Sequence, residues 1–517
     1  MRSNAFNSRV SWGYEKMSSK GNPGLVAALT VAATLGGLLF GYDSAVISGV
    51  TDAITQNFVV PLHLAERTAN FLSGFAISIA LLGCALGAGI AGPISTRLGR
   101  KAGLLISGVL FFVSSLGAGY PEFFWSIFGA VGANALWPFL FYRVLGGMAI
   151  GMASMLAPMY IAEVAPPERR GMLVSFQQIA IVVGINLVYF VNWLLQTGHD
   201  RAYLMTVAWR HMLASAAIPA LLLIIFMMLV PETPRFLVLK DRDEEAASLL
   251  QRLVGEGAAQ SSLQEIKATL VEHTRPLLSF GALVLVVGVM LSIFQQVVGI
   301  NAVVYFAPHM FENMGASTNQ AFWESATVVG VTMTLFTLGA TFTVDKLGRK
   351  PLLVTGAFVM SAAMIVLGFL FDEHLVAAAG QHAGAAATGS SYISIAAVIV
   401  YIMGFSFSWG PVVWIMLAEI YPNSIRGKAM SIAVAAQWIM NFIVTLTFPV
   451  MDGSSYLNIH FNHGFAYWVY GVCSFFAALF VIRFVPETKG RTLESIQELW
   501  HKHRPGAGVV AGKAAQP

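Results

Sequence analysis

The sequence predicts an all-α membrane protein: twelve transmembrane helices in two six-helix bundles, with short cytoplasmic linker helices between them. Three observations predict it. Of the 517 residues, 56% are hydrophobic and only 11% charged, against about 25% charged in a soluble domain, which leaves no polar surface for a water-soluble fold. Twelve apolar runs are long enough to cross a bilayer, and the polar motifs between the runs of the first half recur between those of the second.

A helix needs about 20 apolar residues to span the hydrocarbon core. Candidate runs lie near 24–50, 70–95, 102–120, 136–161, 173–196, 209–230, 279–308, 320–344, 351–371, 391–416, 429–449 and 463–484. Segments such as 75–91 and 393–405 are apolar all round rather than striped, as lipid-facing helices should be. The first run follows a polar start, is too long for a cleaved signal peptide and is expected to remain as the first span. Twelve spans put both termini on one side. Apart from Arg67, Arg201 and Arg210 on the other side and Arg143 inside a span, every Lys and Arg falls in the segments of that side. The positive-inside rule therefore makes it cytoplasmic, and the net charge of +4 needs no nucleic acid to explain it.

The repeat is direct. Gly99-Arg100-Lys101 recurs as Gly348-Arg349-Lys350. Glu163, Pro166, Arg170 and Gly171 recur with the same spacing as Glu419, Pro422, Arg426 and Gly427. Pro231-Glu232-Thr233 recurs as Pro486-Glu487-Thr488. Matches in one order at nearly one offset, with six spans per copy, predict parallel repeats related by an axis along the membrane normal. The expected division is a cytoplasmic segment 1–23, a first bundle 24–230, a linker 231–278, a second bundle 279–484 and a cytoplasmic tail 485–517. Helical periodicity in the linker predicts surface helices over 241–254 and 262–273. The Ala/Gly-rich stretch 374–391 reads as an outer loop without chemistry. After Thr492 the tail starts amphipathic and ends Gly/Ala-rich. Cys84 and Cys473 sit within spans as small packing residues, without disulfide or metal spacing.

Polar groups inside spans are expensive, so they mark candidate function. Asp43, in LLFGYDSAVISG, is the carboxylate deep in an apolar run, and Arg143, in FLFYRVLGGMAIG, is the basic residue well inside a span. They read either as a static buried ion pair or as a proton site. A carboxyl withdrawn from water alone holds its proton, whereas a guanidinium beside it favours release. Movement that changed their separation would couple protons to a conformational change. The seventh run, SIFQQVVGINAVVYFAP, carries Gln295, Gln296 and Asn301 around Gly299, where a helix can break. Gln178 and Gln437 add amides to the fifth and eleventh runs. Amides both donate and accept, which suits a polyhydroxylated ligand, though any of them also serves as glue between helices. Trp414 and Trp438 offer flat faces or simple packing, and Gly410-Pro411 is a candidate hinge. At the basic end, Arg97, Arg100, Arg170, Arg349 and Arg426 lie near Glu163, Glu232, Asp345, Glu419 and Glu487. They read either as topological anchors or as ion-pair networks that hold the cytoplasmic side shut in one state.

No phosphate-cradling loop, metal-ligand cluster or haem-ligand pair is recognisable, so neither ATP, a metal nor another cofactor is expected. Nor is a nucleophile–base constellation, which argues against a membrane enzyme.

LLFGYDSAVISG, YRVLGG, PETPRFL, FQQVVGIN, VDKLGRK, SWGPVVW, VPETKGRTLE and the two Glu-to-Gly motifs together resemble the sugar porter family of the major facilitator superfamily, from about Val31 to Trp500. The resemblance implies a monosaccharide–proton symporter of the D-xylose or D-glucose class, working by alternating access in a bacterial inner membrane as a monomer. Asp43 then matches the family's proton-carrying acid and Arg143 its partner; animal facilitative members carry Asn at the first position. Gln178, Gln295, Gln296, Asn301, Trp414 and Gln437 match sugar-contacting positions, Phe40, Gly410 and Trp438 the surrounding lining, and Tyr305 a gating aromatic. Three positions depart: Thr96 replaces the usual acid of the first Gly-Arg-Lys motif, Ile185 stands where xylose carriers have Gln, and Met333 replaces an Asn that reaches the sugar. The losses at Ile185 and Met333 would move preference from a pentose toward a hexose. A facilitative uniporter and a transporter-like sugar sensor are the competing expectations. The short tail argues against the sensor.

Overall fold

A computed structural model of the chain describes residues 21–166, 169–270, 276–372 and 385–489. Residues 1–20 and 490–517 of the expected terminal segments, and the 374–384 part of the predicted outer loop, lie outside the described residues. Among the described residues there are helices and turns and no strand.

Each apolar run is a helix long enough to cross a membrane. In order they are Pro23–Gly49, Glu66–Arg97, Arg100–Gly119, Gly132–Val164, Met172–Gln196, Arg201–Leu229, Ala282–Tyr305, Thr318–Val344, Arg349–Phe371, Tyr392–Ile420, Ile425–Asp452 and Phe465–Phe484, here spans 1 to 12. In lipid a backbone group without an internal partner costs several kcal/mol, and a helix satisfies all of its own within one segment. The tenth helix begins at Ala385, not near 391: the alanine-rich end of the supposed loop continues it, because alanine is the best helix former.

The two halves repeat in space as in sequence. Span 1 packs on span 5 as span 7 packs on span 11, and span 3 on span 6 as span 9 on span 12. The bundles meet where span 2 packs on span 11 and span 5 on span 8. Lipid tails are as apolar as leucine, so helices associate in membranes through close packing at small residues. Spans 1 and 5 show it: a Cβ at Gly41 would lie 1.8 Å from the Ile181 carbonyl, and one at Gly184 would lie 2.2 Å from that of Leu38. The glycines let two backbones touch.

Among its described residues the linker holds three helices where two were expected. Pro234–Leu239 was not foreseen, although Thr233 caps it by accepting from the Phe236 N–H and Pro234 opens it, a recognisable start signal. Asp243–Val254 buries Ala246, Leu249, Leu250 and Leu253, one helical face. Glu256–Leu270 begins before the predicted 262. The Asn22 N–H donates to the Arg252 carbonyl at 2.8 Å, tying the linker to the start of span 1.

Candidate functional site

Asp43 and Arg143, on spans 1 and 4 of the same bundle, meet. They are 4% and 3% exposed, and the Arg143 Nη1 lies 3.4 Å from both carboxylate oxygens. One nitrogen shared between two oxygens is a loose arrangement. A bidentate fork would give two bonds of about 2.7–2.9 Å. The Arg143 Nε is buried without a partner, so one guanidinium donor is left unused. One helical turn before Asp43, the Phe40 ring lies 5.4 Å from that of Trp438 on span 11 of the other bundle. The acid therefore sits one turn from a contact between the halves.

Span 7 breaks where predicted. Gly299 has φ of +95°, separating Ala282–Val297 from Ile300–Tyr305, and L side chains avoid that conformation. Breaking a helix in lipid frees carbonyls that must find donors. The Tyr401 hydroxyl donates to the Val298 carbonyl at the break, at 2.8 Å; further along, where Pro308 has no N–H to offer the Val304 carbonyl, the Tyr189 hydroxyl from the other bundle donates to it at 2.6 Å. Neither tyrosine was singled out from sequence; a phenol in an oily run is the signal that would have found them. The Asn301 amide donates to Gln296 across the break. Span 10 loosens into a wide π turn over Phe405–Trp409 before Gly410. The Gln295 amide donates to the Trp409 and Gly410 carbonyls at 2.9 and 3.2 Å. Gln295 thus supports the irregular backbone of span 10 while its Oε1 remains buried without a partner.

Gln295 Oε1, Gln437 Oε1 and Trp438 Nε1 are all buried and unpartnered. They sit on spans 7 and 11, which pack together. Such atoms cost about 1–3 kcal/mol each unless something pairs with them, and two acceptors and a donor fit hydroxyls. Asn301, Gln178, Trp414 and Phe40 are half-buried. Tyr305 is buried, and its hydroxyl accepts from the Asn441 amide at 3.4 Å. Asn441 escaped the sequence reading because it lies one turn beyond the Gln437–Trp438 pair. Ile185 and Met333 are 6% and 7% exposed, apolar side chains that bring no donor or acceptor.

At the basic end the repeated motifs build the same device twice. Glu232 accepts from the N–H groups of Arg100 and Lys101 at 3.1 Å, a carboxylate on the positive start of span 3. A Cβ at Gly99 would lie 2.2 Å from its Oε2, so glycine is required there. Arg100 pairs with Glu163 at 2.9 Å, whose other oxygen accepts from the Thr233 hydroxyl at 2.6 Å. In the second copy Glu487 accepts from the N–H groups of Arg349 and Lys350 at 3.1 and 3.0 Å. There Arg349 pairs with Glu419 at 2.9 Å, and Thr488 donates to Glu419 at 2.5 Å. Burial pushes the Glu232 carboxyl up despite its N–H donors. Burial pushes Glu487 up as well, but its N–H donors outweigh that and lower it.

Each network joins spans of one bundle, so in this conformation it staples that bundle and does not cross between the two. Nor do all the expected members join. Arg97 and Arg170 are exposed, Arg426 donates to the Tyr421 carbonyl at its own helix start, and the Asp345 side chain lies outside the described residues. Arg100 and Arg349 reach inward because each follows the glycine that turns its helix start onto the glutamate. The other three do not.

Among the described residues, the ion pairs that cross between the bundles lie at the opposite end. Arg201 pairs with Asp52 at 2.8 Å and, across the divide, with Glu312 at 3.2 Å. His309 of the second bundle lies 3.7 Å from Asp52 and 3.0 Å from Asp452. The Asn70 amide donates to the Gly453 carbonyl at 2.8 Å, and Ser455 donates twice to Glu66 at 2.7 Å. Asp52, His309 and Glu312 gather here, but the Arg201 guanidinium occupies the place between the carboxylates that a cation would take.

Twelve spans in two repeated bundles, closed against each other at one end and lined between with polar groups, define a membrane transporter of the major facilitator fold. Residues 29–500 match the family described as Sugar (and other) transporter, and the chain belongs to that family. It is 45% identical to the D-xylose-proton symporter of Escherichia coli K12 over 494 residues, 94% of this chain and 97% of that one. It is 41% identical to the glucose facilitated diffusion protein of Zymomonas mobilis over 492 residues, 94% and 100% of the two chains. The inward open conformation of the xylose transporter XylE from E. coli superposes with a TM-score of 0.80 at 44% identity, covering 92% of this chain and 100% of that one. The proton:xylose symporter XylE bound to 6-bromo-6-deoxy-D-glucose gives 0.76 at 44% identity, over 93% and 100%.

Proposed function

We propose that the protein imports a monosaccharide of the D-xylose or D-glucose class with protons, by alternating access, in a bacterial inner membrane with both termini in the cytoplasm. The observation that carries this reading is the loosely held Asp43–Arg143 pair, one helical turn from the Phe40–Trp438 contact between the bundles. A proton on Asp43 releases Arg143, and rearrangement at the interface alters their separation, so protonation and bundle movement bias each other. The orphaned amide and indole atoms of Gln295, Gln437 and Trp438 grip hydroxyls, with Gln178, Gln296, Asn301 and Trp414 around the ring, Phe40 and Gly410 lining it and Tyr305 above. The Glu163–Arg100–Glu232 and Glu419–Arg349–Glu487 staples keep each bundle, about 24–230 and 279–484, a rigid rocking unit. Buried Ile185 and Met333 shift the preference toward a hexose. The test is uptake by purified protein in liposomes over a panel of pentoses and hexoses, with and without an imposed pH step. Concentration of one sugar only when the inside is alkaline supports the reading.

One observation favours a second reading: the glucose facilitated diffusion protein is 41% identical. A uniporter would equilibrate sugar and never concentrate it, whatever the pH step.

A further inference from the structure

We propose that His309 is a protonation site of the transport cycle, an imidazolium that latches the outer gate shut by bridging Asp52 of the first bundle to Asp452 of the second. The proposal rests on alternating access, but on neither the identity of the sugar nor the role of Asp43.

The geometry calls for a charged ring. Nε2 of His309 lies 3.0 Å from an oxygen of Asp452, and Nδ1 lies 3.7 Å from an oxygen of Asp52. Both ring nitrogens therefore face carboxylates. A neutral imidazole has one N–H and one lone pair, so it would turn its lone pair on one of the two; only the imidazolium turns an N–H to both, as a hydrogen bond to Asp452 and a longer charge contact with Asp52. The remaining charges around the ring leave room for that positive charge. Asp52 and Glu312, the latter one turn along from His309, share Arg201, and Asp452 also takes His463 at 2.9 Å. Three carboxylates thus meet one permanent cation and two histidines. Burial works against the charged ring, but the hydrogen bond and charge of Asp452, followed by the charges of Asp52 and Glu312, outweigh it and hold the His309 pKa up at about 9.

The bridge crosses the divide between bundles. Asp52 follows span 1, and His309 follows span 7. Asp452 ends span 11, in the same bundle as His309, and travels with it. When the outer end opens, His309 keeps Asp452 and loses Asp52, so the Asp52 contact is the part that distinguishes closed from open. Two unit charges 3.7 Å apart, on side chains 34% and 28% exposed, form a partly solvent-screened pair, worth a factor of about five to ten in the closed-to-open ratio. The sign follows from the raised pKa. The latch is complete below the ordinary histidine value and is lost as the pH rises through about 9. Closing the outer gate thus takes up part of a proton from the outer medium, and acid outside favours the inward-facing form.

Double electron–electron resonance reads the gate directly. Spin labels at Leu62→Cys in the first bundle and Tyr456→Cys in the second, both exposed, in a Cys84→Ala, Cys473→Ala background, report the outer separation in nanodiscs without sugar or gradient. The closed-to-open ratio is expected to fall about five- to tenfold between pH 6.5 and 10. His309→Gln should be as open at pH 6.5 as the parent at pH 10. His309→Arg, which keeps the charge, should stay closed across the range. Asp52→Asn, leaving His309 in place, should weaken the pH dependence. An unchanged pH profile in His309→Gln, or an Arg variant as open as the Gln variant, overturns the proposal, as does a single separation in all forms at every pH. Because no sugar or proton gradient enters the measurement, a negative result here leaves the transport assignment standing, and failure of sugar uptake leaves the latch standing.

Discussion

Replacing Asp43 by Asn removes one charge from a pair that the fold has taken out of water. At 3.4 Å and an effective dielectric of about 20, the attraction between Asp43 and Arg143 is about 5 kcal/mol. Removing one partner of a buried pair typically costs about 3–5 kcal/mol, because the other charge stays behind unpaired. Asp43→Asn is therefore expected to lower thermal stability markedly in detergent, and Asp43→Asn combined with Arg143→Met should recover much of it. The functional consequence is separate. With one proton per sugar, a step of two pH units supplies about 2.7 kcal/mol, enough for accumulation of about 100-fold. Proteoliposomes bearing Asp43→Asn should bring sugar only to equality across the membrane while keeping counterflow, since the hydroxyl-binding groups are untouched. Sugar concentrated tenfold or more by the Asn variant on an alkaline-inside step would show that Asp43 is not the coupling acid. A single variant as stable as the parent would show that the 3.4 Å pairing does not hold Arg143.

Other outcomes are as specific. Gln296→Ala and Asn301→Ala should each weaken sugar binding about tenfold, as loss of a buried hydrogen bond predicts, measured by quenching of the Trp414 and Trp438 fluorescence; parent-like binding by both removes the broken helix from the sugar site. Gly41→Ala puts a methyl 1.8 Å from the Ile181 carbonyl and should destabilise by about 3 kcal/mol or more. Gly89→Ala, with nothing within 4 Å, should gain about 0.5–1 kcal/mol from helix propensity; similar melting of the two would refute the close-packing account of spans 1 and 5. The twin glutamates should respond to pH with opposite sign. Glu232 is raised, so its contribution favours the fold at low pH and declines as the pH rises through its folded pKa. Glu487 is lowered, so its contribution is in place above its unfolded value and lost as the pH falls through its folded one. Melting curves of Glu232→Gln and Glu487→Gln between pH 3 and 8 should therefore diverge from the parent in opposite directions.

Much of this protein was legible in its amino acids. Span count and order are composition effects, because a bilayer accepts only long apolar helices and each such run announces itself. The two-bundle plan was legible because duplicated motifs kept their spacing. Gly99 and Gly348 face Glu232 and Glu487, and those constraints leave the same letters in both copies. Asp43 and Arg143 stood out because charge in an oily run is rare. Other features depended on which faces meet. Gln295 reads as a ligand amide, yet its nitrogen is occupied by the carbonyls of span 10, 114 residues away. Tyr401 and Tyr189 look like ordinary packing until the break at Gly299 frees the Val298 carbonyl and Pro308 leaves that of Val304 without a helical donor. Arg97 and Arg170 read like Arg100, and only the turn at Gly99 decides which of them reaches the glutamates. The outer cluster around His309 was wholly hidden, since its charges come from four separate loops and helix ends. Composition and periodicity determined what crosses the membrane. The partners of each polar group were decided by the folded arrangement, because a hydrogen bond depends on separation in space, which distance along the chain does not encode.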